Sequence, residues 1–186
     1  GIAVAFPRNP MHLAYQAWDL HRFSGGRFLL GIGPQVKAHI ENRFGREFSP
    51  PAPRMREYIL ALKAIFDCWQ NGAQLDFRGE YYRHTLMTPM FNPGPLEWGP
   101  PPVLLGALGQ KMTEVAGEVA DGLVVHPFNS MPFITERALP AVERGLERSG
   151  RRRGDFILQI NAIVVTGETG EAREVAARSV RDLLGF

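Results

Sequence analysis

Pro101–Pro127, PPVLLGALGQKMTEVAGEVADGLVVHP, decides how the rest of the chain is read. Val103, Leu104 and Leu105 form a short apolar run, Gly106 to Gly109 a tight turn, Lys111 to Ala120 a helical pattern, and Gly122 to Val125 a second apolar run. Neither run alternates with polar residues, as expected of parallel strands buried on both faces. The stretch therefore predicts one βαβ unit. Inside the helix Met112, Val115, Ala116 and Val119 recur at helical spacing and predict the face laid on the sheet, with Lys111, Thr113, Glu114 and Glu118 on the other side.

Gly109 and Gln110 fall where a helix start presents unpaired backbone N–H groups and the positive end of the helix dipole, a setting that suits a phosphate. The same glycines serve equally as a tight turn, and neither GxGxxG nor a Walker lysine motif is present.

With 186 residues, 45% hydrophobic and 22% charged, the chain can bury a sizeable core and has the composition of one globular domain. A net charge of +2 gives no argument for nucleic acid, and the one dense basic run, Arg151 to Arg153, reads as a solvated loop. Cys68 is the only cysteine, which excludes an intramolecular disulfide and a cysteine metal cluster; no metal is expected. No apolar run approaches the ~18 residues of a membrane span, and no signal-peptide pattern is present. The expected compartment is the cytoplasm, with a small-molecule substrate as partner and a homodimer as one possible assembly. Because the chain opens on Gly1 and runs directly into apolar residues, sequence upstream is expected.

Working outward, Ile2 to Phe6 predicts a buried strand, Asn9 a helix N-cap with Pro10 at the first helical position. The helix carries Leu13, Ala17, Leu20 and Ser24 on one face and stops at Gly25-Gly26. Arg27 to Gly33 is a second strand. After a polar loop with Gln35, Lys37 and His39, Pro50 to Pro53 opens a long helix with Met55, Ile59, Leu62, Phe66 and Trp69 inward and Asn71-Gly72 as its stop. Leu75 to Tyr82, broken at Arg78-Gly79, predicts a small hairpin. From His84 to Pro102 prolines and glycines dominate, and a loop of that length is usually functional or mobile. A helix with Ile134, Ala138, Val142 and Leu146 inward, a strand over Phe156 to Val165 and a helix over Glu171 to Leu184 complete the chain.

Five strands near positions 4, 30, 104, 124 and 160 alternate with helices and predict a parallel α/β protein, doubly wound or a (β/α)8 barrel. Five strands do not close such a barrel, whose typical length is about 250 residues. If it is a barrel, the chain is a partial one.

The residues also carry a resemblance. Ser24, Gly26, Arg27, Phe28, Leu30, Gly31 and Gly33 within AFPRNPMHLAYQAWDLHRFSGGRFLLGIGPQVKAHIENRFG, then Met55-Arg56-Glu57, the Phe77-x-Gly79-x-Tyr81-Tyr82 hairpin, and Pro102-Val103 through Ala116-Gly117 to Ala120-Asp121-Gly122, resemble the bacterial luciferase-like monooxygenase superfamily. The likeness spans nearly the whole chain and is greatest to the branch of oxidoreductases that use the deazaflavin coenzyme F420. It implies a partial TIM barrel, the third to seventh strands of eight, as a single incomplete domain over 1–186 with a hairpin and loop insertion at about 73–102.

The resemblance implies that backbone groups at Gln35, Val36, Leu108, Gly109 and Gln110 hold the cofactor phosphate, so two lines of reasoning meet at Gly109. Pro34 stands where FMN-using luciferases have an arginine, which favours F420 over FMN. Val36 stands where the sugar-phosphate dehydrogenases of the family have a glutamate, which argues against glucose-6-phosphate. The resemblance also places a nonprolyl cis peptide near Ile2-Ala3. The best-known active-site histidine of the family belongs to a strand outside this sequence, and no catalytic acid or base follows.

His126, just past a strand end, is the candidate for positioning a substrate or moving a proton, against a plain loop histidine. Arg8 and Trp98 are candidates for the substrate pocket, against a surface ion pair and a loop anchor respectively. Asp19 and Arg27 are expected to form a structural salt bridge, and Trp18 and Trp69 to be core. The function implied is hydride transfer between reduced F420 and a small organic substrate. Alternatives are an FMN-dependent monooxygenase and a flavin-binding protein without turnover; a third expectation is an inactive fragment with exposed strand edges.

Overall fold

The computed structural model describes residues 1–184. β1 (Ala3–Val4) leads to α1 (Pro10–Phe23), β2 (Leu30–Gly33) and α2 (Pro51–Asn71). A hairpin of β3 (Phe77–Arg78) and β4 (Arg83–His84) follows, then β5 (Val103–Ala107), α3 (Gln110–Val119) and β6 (Gly122–Val125). α4 (Met131–Phe133) continues through a π-helical turn (Ile134–Ala138) into α5 (Leu139–Ser149), and β7 (Ile157–Ile160) and α6 (Gly170–Leu184) come last. No helix among the described residues is long and apolar enough to cross a membrane.

The five strands of the main sheet stand in the order β1-β2-β5-β6-β7, all neighbours parallel. A doubly wound sheet reverses its strand order at a switch point. Here the order follows the sequence without reversal, and the helices pack on one another in turn, α1 on α2, α2 on α3 and α3 on α5. That is the wall of a (β/α)8 barrel, present in part. Ile32, fully buried, sits in register between Ala3 and Leu105 and marks the middle of the wall.

The two cores of local signal are well placed. Asn9 caps α1 by accepting from Met11 N–H at 2.8 Å, with Pro10 first in the helix. The inward residues of α2 are all buried, and Gly72 ends it in the left-handed conformation that glycine adopts without a Cβ clash, at φ +73°. Trp18 and Trp69 are core, stacked edge to face at 5.3 Å.

Several expectations are corrected. The inward face of α1 is Leu13, Ala14, Ala17, Trp18 and His21, whereas Leu20 is 50% exposed. Burying an indole removes more apolar surface than burying a leucine, so the helix turns toward Trp18. The hairpin pairs Phe77 with His84 and Arg78 with Arg83, so its turn is Gly79–Tyr82 rather than Arg78-Gly79. Glu57 fixes that turn, its carboxylate accepting from the N–H groups of Glu80, Tyr81 and Tyr82 at 2.9, 2.7 and 2.5 Å. A Cβ at Gly79 would collide with the same carboxylate.

The first and last strands are shorter than the apolar runs that announce them. The Ile2-Ala3 peptide is trans, as are all described peptides; the expected cis bond, which costs roughly 3–4 kcal/mol, is not held here. Asp19 and Arg27 are both exposed and do not pair, in keeping with the small worth of a surface ion pair. Arg151 is not a solvated loop residue: its guanidinium donates to Ala120 O at 2.6 Å and Gly117 O at 3.4 Å, tying the end of α5 to the end of α3.

Candidate active site

The C-terminal ends of β1, β2, β5 and β6 and the residue after β7 surround one cavity of about 670 Å³. In barrel enzymes this is the end where loops carry the chemistry. Its floor is apolar. Ile2 lies across it, seated on two glycines: a Cβ on Gly33 would be 3.1 Å from Ile2 Cγ2, and one on Gly106 would be 2.6 Å from Ile2 Cδ1. Val4, Met112, Val124 and Val125 continue the surface, and no Asp, Glu, Lys or Arg lines it.

Two turns rise from this floor. After β2, Gln35 has φ 65° and is the described non-glycine residue with positive φ. Left-handed backbone costs an L-residue roughly 1–2 kcal/mol, and such residues concentrate at functional sites. The side chain compensates in part, since Gln35 Oε1 accepts from the Val36 N–H at 3.0 Å. An anion contacting the Val36 N–H must therefore displace that carboxamide oxygen.

After β5, Gly109 is the N-cap of α3 in extended conformation with no side-chain cap. The first intrahelical acceptor is Gly109 O, taken by Thr113 N–H at 3.0 Å, so the N–H groups of Gln110, Lys111 and Met112 have no partner within the helix. A Cβ on Gly109 would meet nothing within 4 Å, so the space over the turn is open. Gln110 turns its side chain away, donating from Nε2 to Glu114 Oε1 at 3.0 Å. Glu114, expected on the side of α3 away from the sheet, is buried there and also takes Arg144 at 3.0 Å and Arg148 at 2.8 Å from α5. The hydrogen bond from Gln110, then those from Arg148 and Arg144, hold its carboxyl down to about 2.

His126 stands on the third side, at the end of β6, and lines the cavity with Asn161. Its Nδ1 accepts from the Phe128 backbone N–H at 3.2 Å, and its ring meets the Phe128 ring edge to face at 5.0 Å. Asn129 Nδ2 donates to His126 O at 2.7 Å and to Asn161 O at 3.2 Å, fastening the turn to the end of β7.

The cavity thus brings together Gln35, Val36, Leu108, Gly109 and His126. Gln110 contributes its backbone beside it, in a smaller hollow of about 300 Å³ that it shares with Leu108 and Gly109 on the side of Arg137. Arg8 and Trp98 are not among the walls. Arg8 folds back and donates to Val4 O at 2.7 Å, closing the end of β1. Trp98 lies over Gly26, at the opposite end of the sheet: a Cβ on Gly26 would be 2.5 Å from its indole.

The stretch around Trp98 does not reach the cavity either. It is pinned to α1 and α2 by Tyr15 to Phe91 O, Trp18 to Gly94 O, Arg22 to Pro93 O, and Gln70 to both backbone groups of Leu96. Asn129 and Asn161 carry no signal in the sequence: Asn161 falls inside the strand expected over Phe156 to Val165, which in fact ends at Ile160, and Asn129 lies in the loop after β6. Among the described residues no cluster of three or more His, Cys, Asp or Glu could hold a metal ion.

The profile of the luciferase-like monooxygenases matches residues 1–185. An uncharacterized protein of Mycobacterium tuberculosis is 46% identical over 185 residues, which are 100% of this chain and 54% of that protein. A 5,10-methylenetetrahydromethanopterin reductase of Archaeoglobus fulgidus is 28% identical over 97% of this chain and 51% of its own length. The solved coenzyme F420 dependent tetrahydromethanopterin reductase of Methanopyrus kandleri superposes with a TM-score of 0.65 and 25% identity, over 88% of this chain and 48% of that one. The chain spans about half the length of the curated relatives it matches. With these likenesses running through the same strands and turns that build the cavity, the chain belongs to the luciferase-like monooxygenase family.

Proposed function

We propose that the cavity holds the deazaflavin coenzyme F420 and that the protein is an oxidoreductase acting on a small organic substrate. The observation that carries this reading is the junction of two anion-competent turns, at Gln35-Val36 and at Leu108-Gly109-Gln110, with one apolar, charge-free floor. The open space over Gly109 and the unpartnered N–H groups behind it fit a phosphate, and the valine, methionine and isoleucine surface fits the face of a fused ring. The coenzyme, when bound, supplies a hydride, and the substrate takes its balancing proton from solvent. The chain's own residues bind the phosphate, support the ring on Ile2, Gly33 and Gly106, and exclude water from the floor.

Support comes also from the likeness to the solved coenzyme F420 dependent tetrahydromethanopterin reductase. Pro34 offers no charge at the β2 turn, where an FMN phosphate would gain from a guanidinium. Val36 offers no proton donor of the kind sugar-phosphate oxidation would need.

The test is equilibrium binding of F420 and of FMN, side by side, to this chain and to the same chain carrying Gly109→Asp. F420 binding abolished by the carboxylate is the expected result. FMN bound in preference to F420 would make the flavin-dependent alternative correct, and binding without turnover of any carbonyl or imine substrate would leave a carrier protein. Binding unaffected by Gly109→Asp would overturn the phosphate assignment.

A further inference from the structure

We propose that His126 is a substrate-contacting hydrogen-bond donor held in a single tautomer, and that it selects hydride acceptors bearing an uncharged oxygen acceptor, such as a ketone or aldehyde. The inference rests on the oxidoreductase reading above, because the molecule that meets His126 is the one that receives the hydride.

The tautomer follows from the partner. A backbone N–H can only donate, so the bond from Phe128 N–H at 3.2 Å leaves Nδ1 without a hydrogen and places it on Nε2. The ring plane is set as well, by the edge-to-face contact with Phe128 at 5.0 Å and 68°. The backbone beneath is fastened twice, by Asn129 Nδ2 on His126 O at 2.7 Å and by Asn161 Nδ2 on Val125 O at 3.3 Å. Asn129 is therefore a positioning residue for His126.

The rest of the cavity gives the selectivity. Asn161 donates from Nδ2 to Val125 O, and Gln35 has its Oε1 turned onto the Val36 N–H. The Nε2–H of His126 makes no bond to another described residue, and the walls carry no charged side chain. With the N–H groups of the two turns assigned to the coenzyme phosphate, an anionic substrate would lose its hydration here with no cationic side chain to replace it. A neutral carbonyl loses little, and bonding of its oxygen to the Nε2–H would draw electron density from the carbon that accepts hydride.

The test has three arms, made on this chain and its His126→Phe and His126→Gln variants. Long-range ¹H–¹⁵N correlation spectra of ¹⁵N-histidine-labelled protein read the tautomer, and the Nε2–H form is expected. Titration with cyclohexanone and with methylenecyclohexane, which has the same shape without the oxygen, reads the donor. The expected result is about 3- to 10-fold weaker cyclohexanone binding in His126→Phe, the range of one neutral hydrogen bond, recovery in His126→Gln, and no change for methylenecyclohexane. An Nδ1–H tautomer, or cyclohexanone bound equally by His126→Phe, overturns the proposal. F420 titration of the unaltered chain forms the third arm: if F420 fails to bind while the first two results hold, the coenzyme reading falls and the histidine assignment stands.

Discussion

Gly117 of α3 and Gly145 of α5 meet back to back where the two helices cross. A Cβ on Gly117 would run into Val142 O and lie 3.1 Å from Gly145 Cα, and one on Gly145 would run into Glu114 O. The missing side chains allow the helices to approach closely enough for Arg144 and Arg148 to reach Glu114. This contact holds α3, and with it the turn at Gly109, at a fixed height on the sheet.

Gly145→Ala should therefore destabilise the protein even though alanine is the better helix former. The propensity gain is about 1 kcal/mol, and overpacking against backbone that cannot rotate away costs about 1–3 kcal/mol or more. Urea denaturation of the variant should show a lower midpoint with an unchanged slope. A midpoint at or above that of the wild type would mean the crossing has slack that the geometry does not reveal.

At Gln35 the two halves of the side chain's role can be separated. Gln35→Ala removes the bond to Val36 N–H and keeps the left-handed strain, whereas Gln35→Gly removes both. Glycine should be more stable than alanine here by about 1 kcal/mol, the reverse of their order at a relaxed position. Chemical denaturation of the pair decides it, and an alanine variant as stable as the glycine one would show that φ is not strained in solution.

The β5-α3-β6 unit was legible because its signals are local: two unbroken apolar runs, one amphipathic helix and glycines at the turns. Other features depend on what comes near from elsewhere in the chain. Glu114 carries the pattern of the helix side away from the sheet until α5 brings two arginines to it. The inward side of α1 is settled by where an indole fits, which the spacing of Leu13, Ala17 and Leu20 does not encode. The positive φ of Gln35 leaves no trace in a residue type that rarely adopts it. Trp98 shows best how a loop's composition is silent about its destination: prolines and glycines announce irregular chain, and only the bonds from Tyr15, Trp18, Arg22 and Gln70 say which end of the sheet it covers.

That placement makes a prediction about Trp98 itself. Trp98→Ala should loosen the segment around it, seen as faster amide exchange and proteolysis between residues 84 and 102, because the indole is the packing partner of Gly26. The F420 binding proposed for the chain should be unaffected by this substitution, since the cavity lies at the other end of the strands. A loss of coenzyme affinity without a change in exchange would return Trp98 to the site.

Glu114 should give the protein an acid limb that can be traced to one carboxyl. In the folded state the bonds from Gln110, Arg148 and Arg144 hold its pKa at about 2, against an ordinary value of 4.5. Between these two values the unfolded chain binds the proton more readily than the folded one, so stability rises with pH across that window. The contribution is fully present above about pH 4.5 and is lost as pH falls toward 2. Both arginines are partly exposed, so solvent screens the pair and the effect is smaller than their geometry alone suggests. Glu114→Gln should lower stability at pH 7, where two arginines lose their carboxylate, and should flatten the acid limb so that the two proteins converge near pH 2. Urea unfolding at a series of pH values measures both. Parallel acid limbs would show that other carboxylates carry the acid sensitivity, and that Glu114 holds Gln110 and the turn at Gly109 by shape rather than by charge.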